Sequence, residues 1–469
     1  MMQPNLLMYL TIPLVLVAPA LVGCAAPSAP VQSQPSESTT HSVDAEEDNA
    51  EIRITKAELI QQSWDAYKER FIQVDGRVID RGDDTNPDRT VSEGQAYAML
   101  RAVMIDDPAV FDETLRWAEA NLARIGSDGE LIDTLWAWKW GQNEQGRWEI
   151  LDQNFATDAD IDAVTALILA ARRWNRPDYL ELAQVKLKDI WDLSTVPASA
   201  EVSASAENDD IGFDPGASIT INTVEPPVQT DDQSPSAASE ATPLTTETPA
   251  ASEARYLMPG PIDAFQPQPG LIYLNPSYFA PYAFRLFAQV DPDRDWLGLL
   301  DSSYALLEGS TQFSPAGLPS DWIAFNTNTQ DFYPVQSVQL RSVYSFDAYR
   351  VWWRVALDAI WFDEPRATSY LQSHLPFLED EWRSQQRIPA RIDLQGNALV
   401  DYEATAQYGM LYAAFRVIDP AIADQIYSQK LLPTYRDGFW DNDSAYYTHN
   451  LSWFGIYPPN QVSSTWLSP

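Results

Sequence analysis

Three short acidic segments stand out: Thr90-Val-Ser-Glu93-Gly-Gln-Ala-Tyr97, Ala156-Thr-Asp158-Ala-Asp160 and Ser345-Phe-Asp347-Ala-Tyr-Arg350. Each places a carboxylate where an apolar helix is expected to begin, with Trp or Tyr within reach. Carboxylates converging on an aromatic-lined cleft match the needs of glycosidic bond hydrolysis. One acid protonates the leaving oxygen, a second carboxylate activates water, and flat aromatic faces hold sugar rings.

Each segment also has a plainer reading. Thr90-x-x-Glu93 before an apolar run fits a capping box, with Thr90 as N-cap. Gly94 and Gln95 argue for more, because a helix start built only for stability would use stronger helix formers. Asp158 or Asp160 can cap the next helix, which leaves the other free for a separate task. Asp162 fits a solvated first-turn acid favoured by the helix dipole. Asp347 follows Ser345, a possible N-cap, and Arg350 lies one turn on, so a local ion pair is open. Trp136-Ala-Trp138-Lys-Trp140 has a period of two, which in an extended segment sets three indoles on one face. That face either binds a ligand or is buried in a hairpin.

Composition narrows the chemistry. The 469 residues carry a formal charge of −37 and 45% hydrophobic residues, with 17 Trp and 21 Tyr. Such a charge opposes nucleic acid and anionic polysaccharides as partners; a neutral or cationic polymer fits better. One Cys and three His provide no disulfide framework and no metal-ligand spacing. There is no phosphate-cradling Gly-rich loop and no Gly-x-Ser-x-Gly elbow. No cofactor is expected.

The elements that must position these residues are helical. Apolar spacing of three and four predicts helices over Lys56–Phe71, Glu93–Ile105, Phe111–Ile125, Asp158–Trp174 and Pro177–Trp191. It predicts others over Tyr278–Val290, Trp296–Glu308, Asp347–Trp361, Glu403–Val417 and Ala421–Lys430. Strand alternation is scarce, so the class is all-α. Residues 1–23 read as a secretory signal ending in Leu21-Val-Gly-Cys24, which resembles a bacterial lipobox, although no Lys or Arg precedes the apolar run. Cys24 is then the expected lipidation site, with an uncleaved anchor as the alternative. The expectation is an exported, membrane-anchored protein, periplasmic or at the cell surface, and monomeric. Residues 24–52 read as a disordered tether and 197–254 as a disordered low-complexity insert within one domain spanning 53–469.

Ser92-Glu-Gly-Gln-Ala-Tyr97 resembles the Ser-Glu-Gly-Gln-x-Tyr segment of glycoside hydrolase family 8. Ala156-Thr-Asp-Ala-Asp160 and the helix closing at Trp174 resemble its signature. Ser345-Phe-Asp-Ala-Tyr-Arg350 is similar to its Tyr-Asp-Ala-x-Arg segment, with Phe346 in place of Tyr. Asn275-Pro-Ser-Tyr278 and Gly76-Arg-Val-Ile-Asp80 extend the match, which covers roughly 60–195 and 256–455. Within the family the likeness is to the periplasmic endoglucanases encoded beside bacterial cellulose synthases. The resemblance implies an (α/α)6 barrel and inverting hydrolysis of a β-1,4-glucan without a cofactor. It implies Glu93 as general acid, Asp347 as general base and Asp158 as the carboxylate beside the scissile bond. Tyr278 and Arg350 fall near the water and the base. Trp136, Trp138, Trp140, Gln95 and Tyr97 join them as candidate sugar contacts. Ala163-Val164 in the signature helix and the insert depart from the family pattern. Chitosanase, xylanase and mixed-linkage glucanase activity stay open within the family. Outside it the rivals are a non-catalytic glucan-binding lipoprotein and a helical scaffold. The first would be free to lose the acids, and all three are present; the second would not need the Trp run.

Overall fold

The computed structural model describes residues 54–81, 88–198, 254–337 and 340–468. The chain divides into Met1–Arg53 and Ile54–Pro469, and all described residues belong to the second unit. The signal, Cys24, the tether and nearly all of the 197–254 insert therefore lie outside the described residues. Among those described, no helix is long and apolar enough to cross a membrane.

Helices come in two kinds. One kind buries a single stripe. Helix α1 (Lys56–Phe71) buries Leu59, Ile60, Ser63, Trp64, Tyr67 and Phe71, at helical spacing. The other kind has almost no solvent face. In α4 (Thr157–Trp174) every residue from Thr157 to Ala171 is buried, and in α2 (Ser92–Ile105) only Glu93 and Ile105 are not. The all-buried helices are the inner wall of a barrel and the striped ones its outer wall. Chain order alternates the two: α2 packs on α3 (Pro108–Asn121), α4 on α5 (Pro177–Ser194), and α6 (Pro281–Val290) on α7 (Trp296–Ser310). Next come α8 (Tyr349–Phe362) with α9 (Pro365–His374), followed by α10 (Pro376–Gln385). Then α11 (Thr405–Ile418) packs on α12 (Pro420–Ile426), and α13 (Tyr446–Ile456) packs on α1.

Around the ring α2 meets α4, α4 meets α6, α6 meets α8, α8 meets α11, and α11 meets α13. The last closes on α2 through Tyr97 against Phe454, with ring centroids 5.2 Å apart, and Arg101 bonded to Asn450 at 3.3 Å. Among the described residues, six inner helices, each backed by an outer one, make an (α/α)6 barrel, with α10 as an additional short helix after α9. Helices α11 and α13 cross closely: a Cβ on Gly455 would lie 2.0 Å from the Gly409 carbonyl oxygen, so backbones touch there.

Several boundaries differ from the sequence expectation. The helix expected over Phe111–Ile125 ends at Asn121, and Ala123–Ile125 is a strand. Pro281 opens α6, so Pro276–Tyr278 forms a separate 3₁₀ turn. The helix over Ala421–Lys430 becomes a π turn from Tyr427 to Leu431. Helices α9, α10 and α13 were not read from the sequence at all. Strands are more prominent than expected: Leu131–Gln142 pairs antiparallel with Trp148–Phe155 in a long hairpin beside α4. At the stem of the insert, Thr195–Pro197 pairs with Arg255–Leu257, so the chain leaves and re-enters the domain at adjacent points.

Candidate active site

The three acidic segments converge. Glu93 lies in the first turn of α2, Asp158 in the first turn of α4, and Asp347 just before α8. One guanidinium joins them. Arg350 Nη1 donates to Glu93 Oε2 at 2.5 Å and to Asp158 Oδ2 at 3.1 Å, and Nη2 donates to Asp347 Oδ1 at 3.0 Å and to Ser277 Oγ at 2.9 Å. These groups floor a groove of about 580 Å³ whose walls include Trp138, Tyr278, Phe346, Tyr446 and Tyr447. A separate hollow of about 400 Å³ lies beside Phe155, and its Arg124 is already paired with Asp133.

Three carboxylates on one cation leave an excess of negative charge, which favours retention of a proton by one of them. Burial pushes the Glu93 carboxyl up to about 8; Arg350 draws it down, and the charges of Asp158 and Asp347 raise it. Burial also raises Asp158, against Arg350 and Arg354. The helix dipole at α2 favours the Glu93 anion, and burial outweighs it. The Arg350 guanidinium holds Glu93 and Asp347 across one site, with contacts of 2.5 Å to Glu93 and 3.0 Å to Asp347.

The capping readings of these acids do not hold, whereas the expected ion pair of Asp347 with Arg350 is present. The N-cap of α2 is Val91, with no side-chain cap bond, and Thr90 instead donates to the Val78 carbonyl at 2.7 Å. Ala156 and Ala348 hold the N-cap positions of α4 and α8, also without side-chain bonds. Asp160 accepts from the Trp136 backbone N–H at 3.2 Å and so ties the hairpin to α4. Asp162 is not solvated: it is buried and grips Arg354 through two bonds of 2.8 Å. Asp158 and Asp162 on α4 thus face Arg350 and Arg354 on α8, one helical turn apart on each side. Gly94 serves close approach, since a Cβ there would meet the Tyr446 hydroxyl at 2.7 Å.

Not every expected sugar contact reaches the groove. Trp138 and Tyr278 line it, as does Arg350. Trp136 is buried, donates through Nε1 to Glu119 at 2.9 Å, and lies under the Lys186 ammonium. Trp140 stacks on Trp148 at 4.9 Å and lies away from the groove. Register shifts on either side of Lys139 break the alternation that would have put the three indoles on one face. Gln95 is fully buried and holds backbone: its Oε1 accepts from Val78 N at 2.5 Å and its Nε2 donates to the Gly76 and Thr114 carbonyls. Tyr97 is buried beneath the floor, 3.5 Å from Arg350 Nη1.

Other site residues were missed. Asn275 Nδ2 donates to Asp347 Oδ2 at 3.1 Å, and Ser277 holds Arg350; both sit in the quoted Asn275-Pro-Ser-Tyr278 turn, which was the available signal. Asp321 lies behind Asp347, and burial, with Asp347 adding, pushes its carboxyl up to about 7. Tyr446 and Tyr447 open α13, and among the described residues the buried Tyr446 hydroxyl has no hydrogen-bond partner. No group of three or more potential metal ligands occurs among the described residues.

A helical barrel with acids bridged on the floor of an aromatic groove defines a glycosidase-like architecture. The sequence profile of Glycosyl hydrolases family 8 matches residues 51–217 and 254–458, and the chain belongs to that family. An endoglucanase of Xanthomonas axonopodis pv. citri (strain 306) is 30% identical over 334 residues, covering 70% of this chain and 68% of that one. An endoglucanase of Pseudomonas fluorescens (strain SBW25) is 29% identical, over 57% of this chain and 52% of its own length. Among solved structures, the endo-1,4-D-glucanase of Vibrio fischeri ES114 superposes with a TM-score of 0.62 at 23% identity, covering 84% of this chain and 93% of that one. That likeness concerns the fold.

Proposed function

We propose that this chain is an inverting, endo-acting hydrolase of β-1,4-glucan. The observation that carries the reading is the Arg350 guanidinium bridging Glu93, Asp158 and Asp347 on the floor of the aromatic groove. Glu93 keeps its proton near neutral pH and donates it to the leaving oxygen. Asp347, held on one oxygen by Arg350 and on the other by Asn275, takes a proton from the attacking water. Asp158 supports positive charge developing on the sugar ring. Trp138 and Tyr278, which line the same groove as the acids, give the sugar chain flat faces. The name endoglucanase, borne by the curated relatives, supports internal cleavage of β-glucan. The net charge of −37 agrees with an uncharged polymer.

The test is the anomer formed first. Proton NMR of a cello-oligosaccharide digest should show the new reducing end as the α-anomer before mutarotation. Early β-anomer would mean retention and would remove Asp347 as a base. A reducing-sugar panel of soluble cellulose, mixed-linkage glucan, xylan and chitosan ranks the polymers.

The finer setting belongs to the same proposal. We read Cys24 as the lipidated end of an exported, monomeric protein, on the strength of Leu21-Val-Gly-Cys24. Cys24→Ser should release the protein from membranes or stop its processing; unchanged retention would favour an uncleaved anchor. We read 197–254 as an insert in one catalytic domain spanning 53–469, corrected at its ends by the pairing of Pro197 with Arg255 and of Ala198 with Ala254, so deletion of 199–253 should leave Tm almost unchanged.

A further inference from the structure

Asp347 precedes α8 in the loop Ser345–Ala348, which no side-chain cap of its own helix fixes. Its carboxylate is held in front by Arg350 and Asn275. The backbone behind it is held by a residue from a distant loop. Asp321 Oδ1 accepts from Ser345 N at 3.1 Å and from Ala348 N at 2.9 Å, and Oδ2 accepts from the Ser345 hydroxyl. These bonds fall two residues before Asp347 and one after it. Asp321 therefore brackets Asp347 and acts as an N-cap supplied from outside the helix, satisfying an N–H that α8 leaves open. Its own backbone is fixed in turn, with Asp321 N donating to the Val343 carbonyl at 2.8 Å.

We infer that Asp321 is a positioning residue for the catalytic base, holding the Ser345–Ala348 loop so that the Asp347 carboxylate faces the attacking water. The inference rests on the proposed role of Asp347. Misplacing a catalytic group by about 1 Å can cost about a hundredfold in rate, so loss of the bracket should appear in turnover and spare sugar binding. A local helix cap alone would act on stability and leave kcat untouched.

The test compares Asp321→Ala, Asp321→Asn and Asp321→Glu with Asp347→Asn, on a soluble β-1,4-glucan, with oligosaccharide affinity and Tm measured alongside. Asparagine keeps an oxygen for the two N–H donors; glutamate keeps the charge and pushes the loop outward by one methylene. Positioning predicts that Ala and Glu lower kcat by about tenfold to a hundredfold, with KM and oligosaccharide affinity within about threefold, while Asn stays within about fivefold of wild type. If Glu retained kcat and Asn lost it, charge and not placement would be the cause, and the inference would fall. It would also fall if the loss appeared in KM, or if Asp321→Ala kept wild-type kcat while Asp347→Asn was inactive. Wild-type kcat in Asp347→Asn would overturn the base assignment itself and this inference with it. Should Asp321→Ala fail to fold, the Asn and Glu pair decides alone.

Discussion

Asp162→Ala should destabilise the barrel far more than an exposed acid would. Arg354 and Asp162 have side-chain exposures of 0% and 1%, and two bonds of 2.8 Å join them. Tyr282 adds contacts of 3.1 Å to Arg354 and 3.2 Å to Asp162. Truncating Asp162 strands a guanidinium in the barrel interior, with the Tyr282 oxygen as its remaining hydrogen-bond acceptor among the described residues. Breaking one side of such a pair costs about 3–5 kcal/mol. With an unfolding entropy of about 2.1 cal/mol/K per residue over a domain of this size, Tm should fall by about 4–6 °C. Replacing both partners, as Asp162→Leu with Arg354→Met, removes the stranded charge and should come within about 1–2 kcal/mol of wild type. That double variant should still lose some activity, because it removes two opposing influences on Asp158, of which the downward pull of Arg354 is larger than the upward push of Asp162. Calorimetry and an activity assay on soluble glucan read the two effects. A single-variant cost below about 1 kcal/mol would refute the stranded-charge argument, and a fully active double variant would separate the pair from the site.

The groove and the strand beside it give further outcomes. With the Glu93 carboxyl at about 8 against an unfolded value of 4.5, kcat/KM should fall as pH rises through about 8. Across that window the folded state binds more protons than the unfolded, so stability declines as pH rises from 4.5 to 8, and Glu93→Gln should flatten that decline. Trp138→Ala should raise KM about tenfold with kcat little changed, as expected for loss of about 1.4 kcal/mol of stacking. Trp136→Ala on the same strand should instead cost about 3–5 kcal/mol of stability, read by thermal unfolding.

The placement of the acids was legible because each opens a helix, and helix starts leave local marks. Two of the misread residues share one cause. Asp162 and Gln95 were read as if their helices had a solvent face, yet α2 and α4 lie between the outer helices and the barrel interior. There a polar side chain is buried by default and must find a partner. The Trp run failed for another reason: register shifts beside Lys139 reset a period-two pattern that single-strand alternation takes for granted. Asp321 left no local sign, since the backbone it holds lies 24 and 27 residues away. Helix α13 was overlooked because Tyr446–Ile456 mixes Thr448, His449, Asn450 and Ser452 with its apolar residues and buries both kinds, so it has no amphipathic period to detect.

The central claim is that Glu93 is the proton donor, and Glu93→Gln tests it most directly. The amide keeps the size and hydrogen-bonding reach of the side chain but gives up no proton to a leaving oxygen. Turnover on unactivated glucan should fall by about 10²–10⁴-fold. An aryl glycoside, whose leaving group needs little protonation, should lose less than about tenfold. Near-wild-type turnover on the polymer, or an equal loss on both substrates, would contradict the account.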